Sequence, residues 1–339
     1  MKNNKNRFLA IVVLVSVFGN LTGAQEGSER VSVAYSAPSW LQVRYRWVKN
    51  WWTGALDEFE DVQDYWNKYV GRYESSGIRD NLAMEDFTLV NPEETGWYGV
   101  FDGHGGSWAA EVAKRSFVLE FERAGGDLQQ AFVALENRIR QIYERKKAEQ
   151  KDLDYEGAVI DYFAGTTAAV ARVSEDGKLI TVGHVGDSRV LLIRGKEVVA
   201  TTSDHRPALE LAHLMLAGAV DCGVVSKDRN HLDGLRLSRS LGDFESKKHL
   251  AALGAPKALI AKPDIQEWHS QPGDVLLLCS DGVHDVIGNT ANKRGKGIVE
   301  LVAENRGART AQEIAAIVGQ EALKRDTHDN VSVVVKLLR

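Results

Sequence analysis

The chain has 339 residues, of which 44% are hydrophobic, 26% charged and 8% aromatic, which excludes a wholly disordered or collagen-like protein. Its formal net charge of −5 argues against general nucleic-acid binding through a basic surface. Its two cysteines, Cys222 and Cys279, cannot form a disulfide framework, and neither lies in a Cys/His pattern with zinc spacing.

Residues 1–24 have the three-part pattern of a secretory signal peptide. Lys2, Lys5 and Arg7 precede an apolar run over 8–18, and small residues then lead to Ala24. The run is shorter than the roughly 20 apolar residues that a membrane-spanning helix needs. We therefore expect entry into the secretory pathway and a lumenal or secreted protein. The alternative is an uncleaved signal anchor, which would hold the protein at a membrane through this segment.

The segment 25–69 is predicted to be a Trp-rich helical extension. Five of the eight tryptophans lie between residues 40 and 69. Apolar residues there recur every three or four positions, which indicates one apolar helical face. This face either packs on the main domain or serves as a docking or membrane-interface element.

From residue 70 to 339 the pattern predicts one further domain of short strands and separate helices. Apolar runs indicate strands at 87–90, 97–101, 167–173, 179–185, 190–194, 198–202, 275–279 and 331–338. Turn sequences at 175–177 and 195–196 join neighbouring runs into hairpins, which implies antiparallel pairing. Helical patterns fill 107–124, 127–149, 208–217, 297–303 and 310–324. Hairpins with separate helices indicate an α+β fold rather than a doubly wound parallel sheet.

Acidic residues stand at the ends of these predicted strands. They are Glu85, Asp86, Asp102, Asp187, Asp281, Asp285 and Asp329. Each one alone is most simply a turn residue. If the carboxylates converge, however, they cannot all remain ionised without cations, because like charges at close range raise each other's pKa. Hard oxygen ligands without cysteine or paired histidine suit Mg²⁺ or Mn²⁺, and two such ions can activate water for attack on a phosphoryl group.

Nine sequence motifs in order resemble those of the metal-dependent protein phosphatases, the type 2C serine/threonine phosphatase (PPM) family. They are MEDF (84–87), YGVFDGHGG (98–106), GTTAAV (165–170), VGDSRVLL (185–192), SDHRP (203–207), LSRSLGDF (237–244), PDI (263–265), LLLCSDGVHDV (276–286) and HDNVSVVV (328–335). The resemblance covers about residues 77–339. It implies a central sandwich of two antiparallel sheets flanked by helices, in the layer order α/β/β/α.

The resemblance also implies a role for each matching residue. Asp102 matches the acid that bridges two metal ions, and Gly103 matches a ligand through its backbone carbonyl. Glu85 matches a ligand of the second ion, and Asp86 matches a contact made through bound water. Ligands of the first ion match Asp281 and Asp329, and a looser third site matches Asp187, Asp281 and Asp285. His104 matches the general acid that protonates the leaving alkoxide; the alternative is a turn histidine without a catalytic role.

Three departures from the family pattern stand out. The family has a phosphate-binding arginine four residues before the glutamate that matches Glu85, where this chain has Asn81. We predict that Arg79 takes that role. His284 replaces an aromatic residue before Asp285, either as a packing substitute or as a metal ligand. The segment 208–235, which matches the substrate-side flap, resembles the family poorly.

The resemblance implies a phosphatase that acts on phosphoserine and phosphothreonine in proteins, with Mg²⁺ or Mn²⁺ as cofactor. The partners of the protein would be phosphoprotein substrates, and we expect no nucleic-acid partner. One alternative is a pseudophosphatase that binds partners through the same fold, which Asn81 favours. The other is a metal-dependent hydrolase of small phosphate esters.

Overall fold

Short strands with buried side chains form the centre of the protein. The computed structural model describes residues 69–75, 84–91, 96–150 and 162–339. The strands are β1 (Val70–Ser75), β2 (Phe87–Asn91), β3 (Trp97–Phe101), β4 (Gly103–His104), β5 (Gly165–Thr166), β6 (Ala168–Val173), β7 (Leu179–Val185), β8 (Arg189–Arg194), β9 (Glu197–Thr201), β10 (Leu241–Gly242), β11 (Asp264–His269), β12 (Val275–Cys279) and β13 (Val331–Leu337). The helices are α1 (Trp108–Arg123), α2 (Leu128–Gln150), α3 (Leu211–Leu216), α4 (Phe244–Ala252), α5 (Asp281–Ile287), α6 (Ile298–Asn305) and α7 (Ala311–Lys324).

The long strands pair into two five-stranded antiparallel sheets. One has the order β1-β13-β12-β8-β9, and the other has the order β11-β7-β6-β3-β2. A small third sheet has the order β10-β5-β4. The hairpins predicted at 175–177 and 195–196 are confirmed, because they join β6 to β7 and β8 to β9.

Alternating side chains of each strand face two different cores. On β12, Leu276 and Leu278 pack between the two sheets, together with Val100 of the facing sheet. The remaining β12 side chains, including Leu277, pack beneath α5, α6 and α7. This two-sided burial follows from the period of two along a strand, and it explains why the β12 sequence is apolar throughout.

The second sheet is covered on its outer face by α1 and α2. Phe101 of β3 packs there with Phe117 of α1 and Phe132 of α2, and all three side chains are fully buried. Helices therefore lie on the outer faces of both sheets. The α+β sandwich with layer order α/β/β/α is confirmed.

Seven elements were not predicted, and one predicted helix is shorter than expected. The elements without an assignment are β1, β4, β5, β10, β11, α4 and α5, and the helix predicted over 208–217 is limited to Leu211–Leu216. Strand β11 (sequence DIQEWH) has few apolar residues because it is an edge strand, so its pattern is weak. Asp281-Gly282, which resembles a turn, instead begins α5 directly after β12.

The predicted signal peptide at 1–24 lies outside the described residues, as does the extension at 25–69 except for its last residue. Both assignments stay predictions. Among the described residues, none of the helices has the length and apolar character to span a membrane.

Candidate metal centre

The predicted metal ligands converge where strands end. Asp102 follows β3, Asp187 follows β7, Asp281 follows β12, and Asp329 precedes β13. Burial and then the charges of Asp86, Asp281, Asp187 and Asp329 raise the pKa of Asp102 well above its usual value. Carboxylates from four separate strands therefore share one buried site, and we call this group, with Glu85 and Asp285, the acid cluster.

The Asp86 carboxylate is a deeply buried member of the acid cluster. The residue is only 3% exposed, and both carboxylate oxygens are buried without a hydrogen-bond partner among the described residues. Burial, together with the charge of Asp281, raises the pKa of Asp86 to about 7, although the nearby Ser332 and Ser280 hydroxyls oppose the shift. A buried carboxylate without a donor is strongly unfavourable unless it is protonated or faces a cation.

Two further carboxylates resist ionisation for the same reason. Burial, followed by the charges of Asp187 and Asp329, raises the pKa of Asp281 to about 7. Burial also raises the pKa of Asp187 to about 6, although the Arg206 guanidinium opposes the shift. This combination of hard oxygen donors and excess negative charge fits Mg²⁺ or Mn²⁺.

Glu85 and Gly103 are held by close backbone contacts. The Glu85 backbone N–H donates to Asn330 Oδ1 at 2.7 Å, and its carboxylate accepts from the Gly106 N–H at 2.7 Å. A Cβ atom on Gly103 would lie 2.5 Å from the Glu85 carbonyl oxygen, so only glycine fits there. The structure therefore joins the MEDF and DGHGG motifs at one point, beside the start of β13.

The carboxylates matched to a third metal ion bind an arginine. Arg206 Nε donates to Asp187 Oδ2 at 2.8 Å, and Arg206 Nη2 donates to Asp285 Oδ1 at 2.8 Å. The same Nη2 atom lies 3.8 Å from Asp281 Oδ2. Although burial raises the pKa of Asp285, His284 and Arg206 hold it below its usual range. Arg206 belongs to the quoted SDHRP motif, but sequence reasoning gave it no role.

His284 is buried beside this group and bonds to the protein. Its Nε2 atom lies 2.9 Å from the Asp187 carbonyl oxygen, and its Nδ1 atom lies 3.4 Å from Asp285 Oδ1. Both ring nitrogens are thus directed at protein oxygens. These contacts favour the packing interpretation of His284 over metal ligation.

The predicted general acid is paired with a residue that sequence reasoning missed. His104 Nε2 lies 2.9 and 3.0 Å from the two carboxylate oxygens of Asp243, which is fully buried. Burial lowers the pKa of His104, but the charge and hydrogen bond of Asp243 outweigh it, so the net pKa is raised. Asp243 lies in the quoted LSRSLGDF motif, which was the available signal.

Arg79 and Asn81 lie outside the described residues, so the phosphate-binding role of Arg79 stays a prediction.

In the flap, α3 and the following loop pack around a small core of their own. Leu214 and Leu232 are fully buried there, whereas Leu216 is 92% exposed.

A different group contains three possible ligand atoms within 4.8 Å of one another. It consists of His184, His205 and Asp264. Its mixed nitrogen and oxygen donors distinguish it from the all-oxygen acid cluster.

Known proteins match this chain over most of the described domain. The family model for protein phosphatase 2C matches residues 77–331. A relative from Oryza sativa subsp. japonica, "Probable protein phosphatase 2C 2", is 29% identical over 259 residues, which cover 73% of this chain and 62% of the relative. A second relative from the same organism, "Probable protein phosphatase 2C 68", is 32% identical over 277 residues, which cover 77% of this chain and 73% of the relative. The matched region thus spans less than two thirds of the first relative.

Solved structures share the fold. The PPM Ser-Thr phosphatase from Mycobacterium smegmatis, crystallised with cacodylate, superposes with a TM-score of 0.51 at 24% identity and covers 80% of this chain and 98% of its own. The matched domain contains the acid cluster and the His104–Asp243 pair. The chain therefore belongs to the protein phosphatase 2C family.

Proposed function

We propose that this chain is a metal-dependent serine/threonine protein phosphatase that hydrolyses phosphoserine and phosphothreonine at the acid cluster. The observation that carries the proposal is the buried Asp86 carboxylate, whose oxygens have no hydrogen-bond partner within the described part of the chain. It shares the site with Asp102 and Asp281, and burial and mutual repulsion raise the pKa values of all three carboxylates. Such a cluster is stabilised by divalent cations. Family membership supports phosphate esters of proteins as the substrates.

The residues that would hold two Mg²⁺ or Mn²⁺ ions are Glu85, Asp86, Asp102, Gly103, Asp281 and Asp329. When bound, two divalent ions supply an activated water and neutralise charge on the phosphoryl oxygens. Asp102 is proposed to serve both ions, which suits the residue whose pKa is raised by burial and by four surrounding carboxylates.

His104 is proposed to give a proton to the leaving alkoxide. Its Nε2 atom is engaged by the Asp243 carboxylate, so the transferable proton is the one on Nδ1. The raised pKa keeps more of the imidazole in its acid form near neutral pH. Arg79 is proposed to bind the substrate phosphate in place of the uncharged Asn81.

The test compares Asp102→Asn with Glu267→Gln, which removes an exposed carboxylate on β11. Hydrolysis of a phosphothreonine peptide and binding of Mn²⁺ by calorimetry are measured on the full chain. We expect Asp102→Asn to abolish turnover and weaken Mn²⁺ binding, with Glu267→Gln unchanged. Full peptide hydrolysis in excess chelator would contradict the proposal.

Two outcomes would favour the alternatives. Mn²⁺-independent partner binding without hydrolysis supports a pseudophosphatase, the interpretation that Asn81 favours. Turnover of small phosphate esters but of no phosphopeptide supports the small-substrate hydrolase.

We also propose that residues 1–24 direct the chain into the secretory pathway. The substrates would then be lumenal or extracellular phosphoproteins. Cytosolic localisation of a C-terminally tagged chain would contradict this compartment.

A further inference from the structure

A cavity of about 610 Å³ lies between the start of α4 and the loop that follows α3. Its lining residues are Phe163, Asp233, Gly234, Leu235, Glu245, Ser246 and His249. Three of them belong to the flap at 208–235, and another three belong to α4. We call this feature the α4 cavity.

The α4 cavity borders the proposed general acid. Glu245 follows Asp243 by two positions, and Asp243 Oδ2 lies 2.9 Å from His104 Nε2. A Cβ atom on Gly105 would lie 2.8 Å from the Phe163 carbonyl oxygen, so the Phe163 backbone packs against the residue that follows His104. The oxygen that His104 would protonate belongs to the substrate serine or threonine, so the substrate chain passes beside this pair. Because an extended chain advances about 3.3–3.6 Å per residue, a side chain one or two positions from the phosphorylated residue can reach the α4 cavity.

Glu245 gives the α4 cavity a charged and oriented carboxylate. The Tyr143 hydroxyl and the Lys147 ammonium both donate to Glu245 Oε1, and the Lys248 ammonium lies 3.5 Å from the same atom. Hydrogen bonds from Lys147 and Tyr143 lower the pKa of Glu245 to about 2, so the carboxylate is ionised at neutral pH. These donors fix the carboxylate through Oε1, and Oε2 lies outside their hydrogen bonds and keeps its capacity to accept.

Asp233 and Phe163 add a second carboxylate and an aromatic ring to the α4 cavity. His249 Nδ1 donates to both Asp233 oxygens, at 3.0 and 3.1 Å, and the Asp233 side chain is only 18% exposed. Phe163 is 64% exposed, so its ring is accessible to a ligand. The α4 cavity therefore combines two oriented carboxylates with an accessible aromatic ring.

Helix α4 already contacts an arginine in such surroundings. The Arg140 guanidinium of α2 lies 4.2 Å from the centre of the Phe244 ring, the first residue of α4, and 3.6 Å from Glu136 Oε1. A planar guanidinium suits this combination, because it stacks on an aromatic face and donates to carboxylates through its edge. The α4 cavity offers the same two kinds of group to a ligand.

We propose that the α4 cavity binds an arginine side chain of the phosphoprotein substrate, within two positions of the phosphorylated serine or threonine. The inference rests on the proposed phosphatase function, and it names the substrates that this function would favour, which are phosphoproteins with basic sequence beside the phosphate. Glu245 Oε2 and the Asp233 carboxylate would receive the guanidinium hydrogens, and the Phe163 ring would lie against the guanidinium face. The same two carboxylates would repel an acidic side chain at this position.

Two lysines beside Glu245 oppose a bound cation. The Nζ atoms of Lys147 and Lys248 lie 5.4 and 4.9 Å from the centre of the Tyr143 ring, and neither lysine is among the lining residues that the structure describes. Because the α4 cavity faces solvent, its ion pairs are also screened by salt. We therefore expect a preference for arginine of moderate size that weakens as the ionic strength rises.

The test uses phosphothreonine peptides with a single arginine, placed in turn at each position from two before to two after the phosphothreonine. The comparison peptides carry citrulline, the uncharged isostere of arginine, or norleucine at the same positions. With the full chain and Mn²⁺, we expect arginine at one or more positions to raise kcat/KM about fivefold or more over citrulline, as a cation–π contact and exposed ion pairs together imply. This ratio should fall at high salt.

Variants of the lining residues locate the effect. Glu245→Gln keeps an acceptor for the Tyr143 hydroxyl, and Asp233→Asn tolerates the left-handed backbone at this position, where φ is 49°. Each of these variants, and Phe163→Leu, should lower the arginine-to-citrulline ratio about twofold or more, with hydrolysis of the citrulline peptide unchanged. Glu267→Gln, which removes an exposed carboxylate from β11, should keep the ratio. If circular dichroism shows that one lining variant does not fold, the other two test the same contact.

The outcomes separate this inference from the proposed function. Hydrolysis of the citrulline peptides with no gain from arginine at any position overturns the inference alone, and so does a preference for norleucine over arginine. An arginine gain that all three lining variants retain also overturns it, as does an equal loss on the arginine and citrulline peptides, which is the mark of a merely structural role. Hydrolysis of none of the peptides overturns the proposed function, and this inference with it.

Discussion

At the scale of single residues, the pairing of His104 with Asp243 sets the acid–base chemistry of the site. Asp243 is fully buried and has a left-handed backbone conformation, with φ at 51°. It also accepts the Ser240 hydroxyl. A buried carboxylate held in this way is a fixed negative charge against the imidazole, and it stabilises the protonated form.

We predict that Asp243→Asn lowers the pKa of His104, because the main cause that raises this pKa is removed. Asparagine tolerates the left-handed conformation, so the backbone is kept. The alkaline limb of the kcat profile should move to lower pH. A general acid contributes about 10²–10⁴-fold, so turnover of a phosphothreonine peptide should fall about tenfold or more at neutral pH.

Nitrophenyl phosphate is the matched control for this variant. Nitrophenolate is a good leaving group and needs little protonation, so its release should hardly change. Equal losses on both substrates, or an unmoved alkaline limb, would contradict the role of Asp243.

Arg206 provides a positive charge where the family resemblance implies a third ion. Its guanidinium contacts Asp187 and Asp285 at hydrogen-bonding distance, and the side chain is only 21% exposed. A forked guanidinium suits two carboxylates at once. Arg206 and a third divalent ion would therefore compete for the same oxygens.

We predict that Arg206→Gln increases the number of Mn²⁺ ions bound per chain, measured by calorimetry. The metal-free variant should also lose about 1–3 kcal/mol of folding free energy, because hydrogen bonds to charged groups are broken. Arg236→Gln is the control, because Arg236 is more exposed and its contact with Asp285 Oδ2 is longer, at 3.3 Å. An unchanged Mn²⁺ stoichiometry in Arg206→Gln would show that the arginine does not occupy an ion position.

At the scale of elements, α7 lies in direct backbone contact with β1. A Cβ atom on Gly71 of β1 would lie 2.3 Å from the carbonyl carbon and oxygen of Ala311, the first residue of α7. Strand β1 pairs with β13, which follows Asp329 and Asn330 directly. The close approach of the two elements thus supports the strand beside the acid cluster.

We predict that Gly71→Ala destabilises the chain. Alanine is intrinsically better than glycine in a strand by about 0.5–1 kcal/mol, but overpacking against backbone costs about 1–3 kcal/mol, so the net effect is a loss. Thermal denaturation should show a lower Tm. Gly307→Ala, with no atom within 4 Å of the added Cβ, should leave Tm unchanged or slightly raised. A Tm loss in Gly307→Ala as large as in Gly71→Ala would contradict the packing explanation.

At the scale of the whole molecule, the acid cluster makes folding depend on pH and on metal. Asp86 and Asp281 have pKa values near 7 in the folded chain and Asp187 near 6, against 3.8 for an ordinary aspartate. Between pH 3.8 and about pH 7 these carboxylates therefore bind more protons in the folded state than in the unfolded state. Stability therefore falls as pH rises. The lowered pKa of Asp285 acts below this window. The lowered pKa values of the buried His184 and His205 oppose the trend within the window, but the three carboxylates outweigh them.

We predict that the metal-free chain loses stability as the pH rises from about 4 to about 7, with a total loss on the order of a few kcal/mol. Mn²⁺ should restore the lost folding stability near neutral pH, by about 2.7 kcal/mol per ion at a hundredfold excess of Mn²⁺ over its Kd. Thermal denaturation with chelator and with Mn²⁺ measures both effects. Removal of charge in Asp281→Asn should flatten the metal-free slope. A metal-free Tm that rises over this range would contradict the linkage.

Much of the fold was predictable because local patterns were strong. The β12 run is apolar throughout and is buried on both faces, and the turn at 175–177 joins adjacent antiparallel strands. Strand β11 was missed because only Ile265 and Trp268 are apolar in it. Helix α5 was missed because its first residues, Asp281-Gly282, resemble a turn.

By itself, the sequence determined the family, and it predicted a divalent metal ion and the acids that could hold it, because these depend on residue identity and order along the chain. Only the tertiary structure decided which side chains meet. His104 and Asp243 are 139 positions apart, and Arg206 reaches Asp285 across 79 positions. A group formed by His184, His205 and Asp264 likewise brings together β7, a loop and an edge strand. Contacts across such separations depend on sheet register and loop paths, which many side chains set jointly and no local pattern contains.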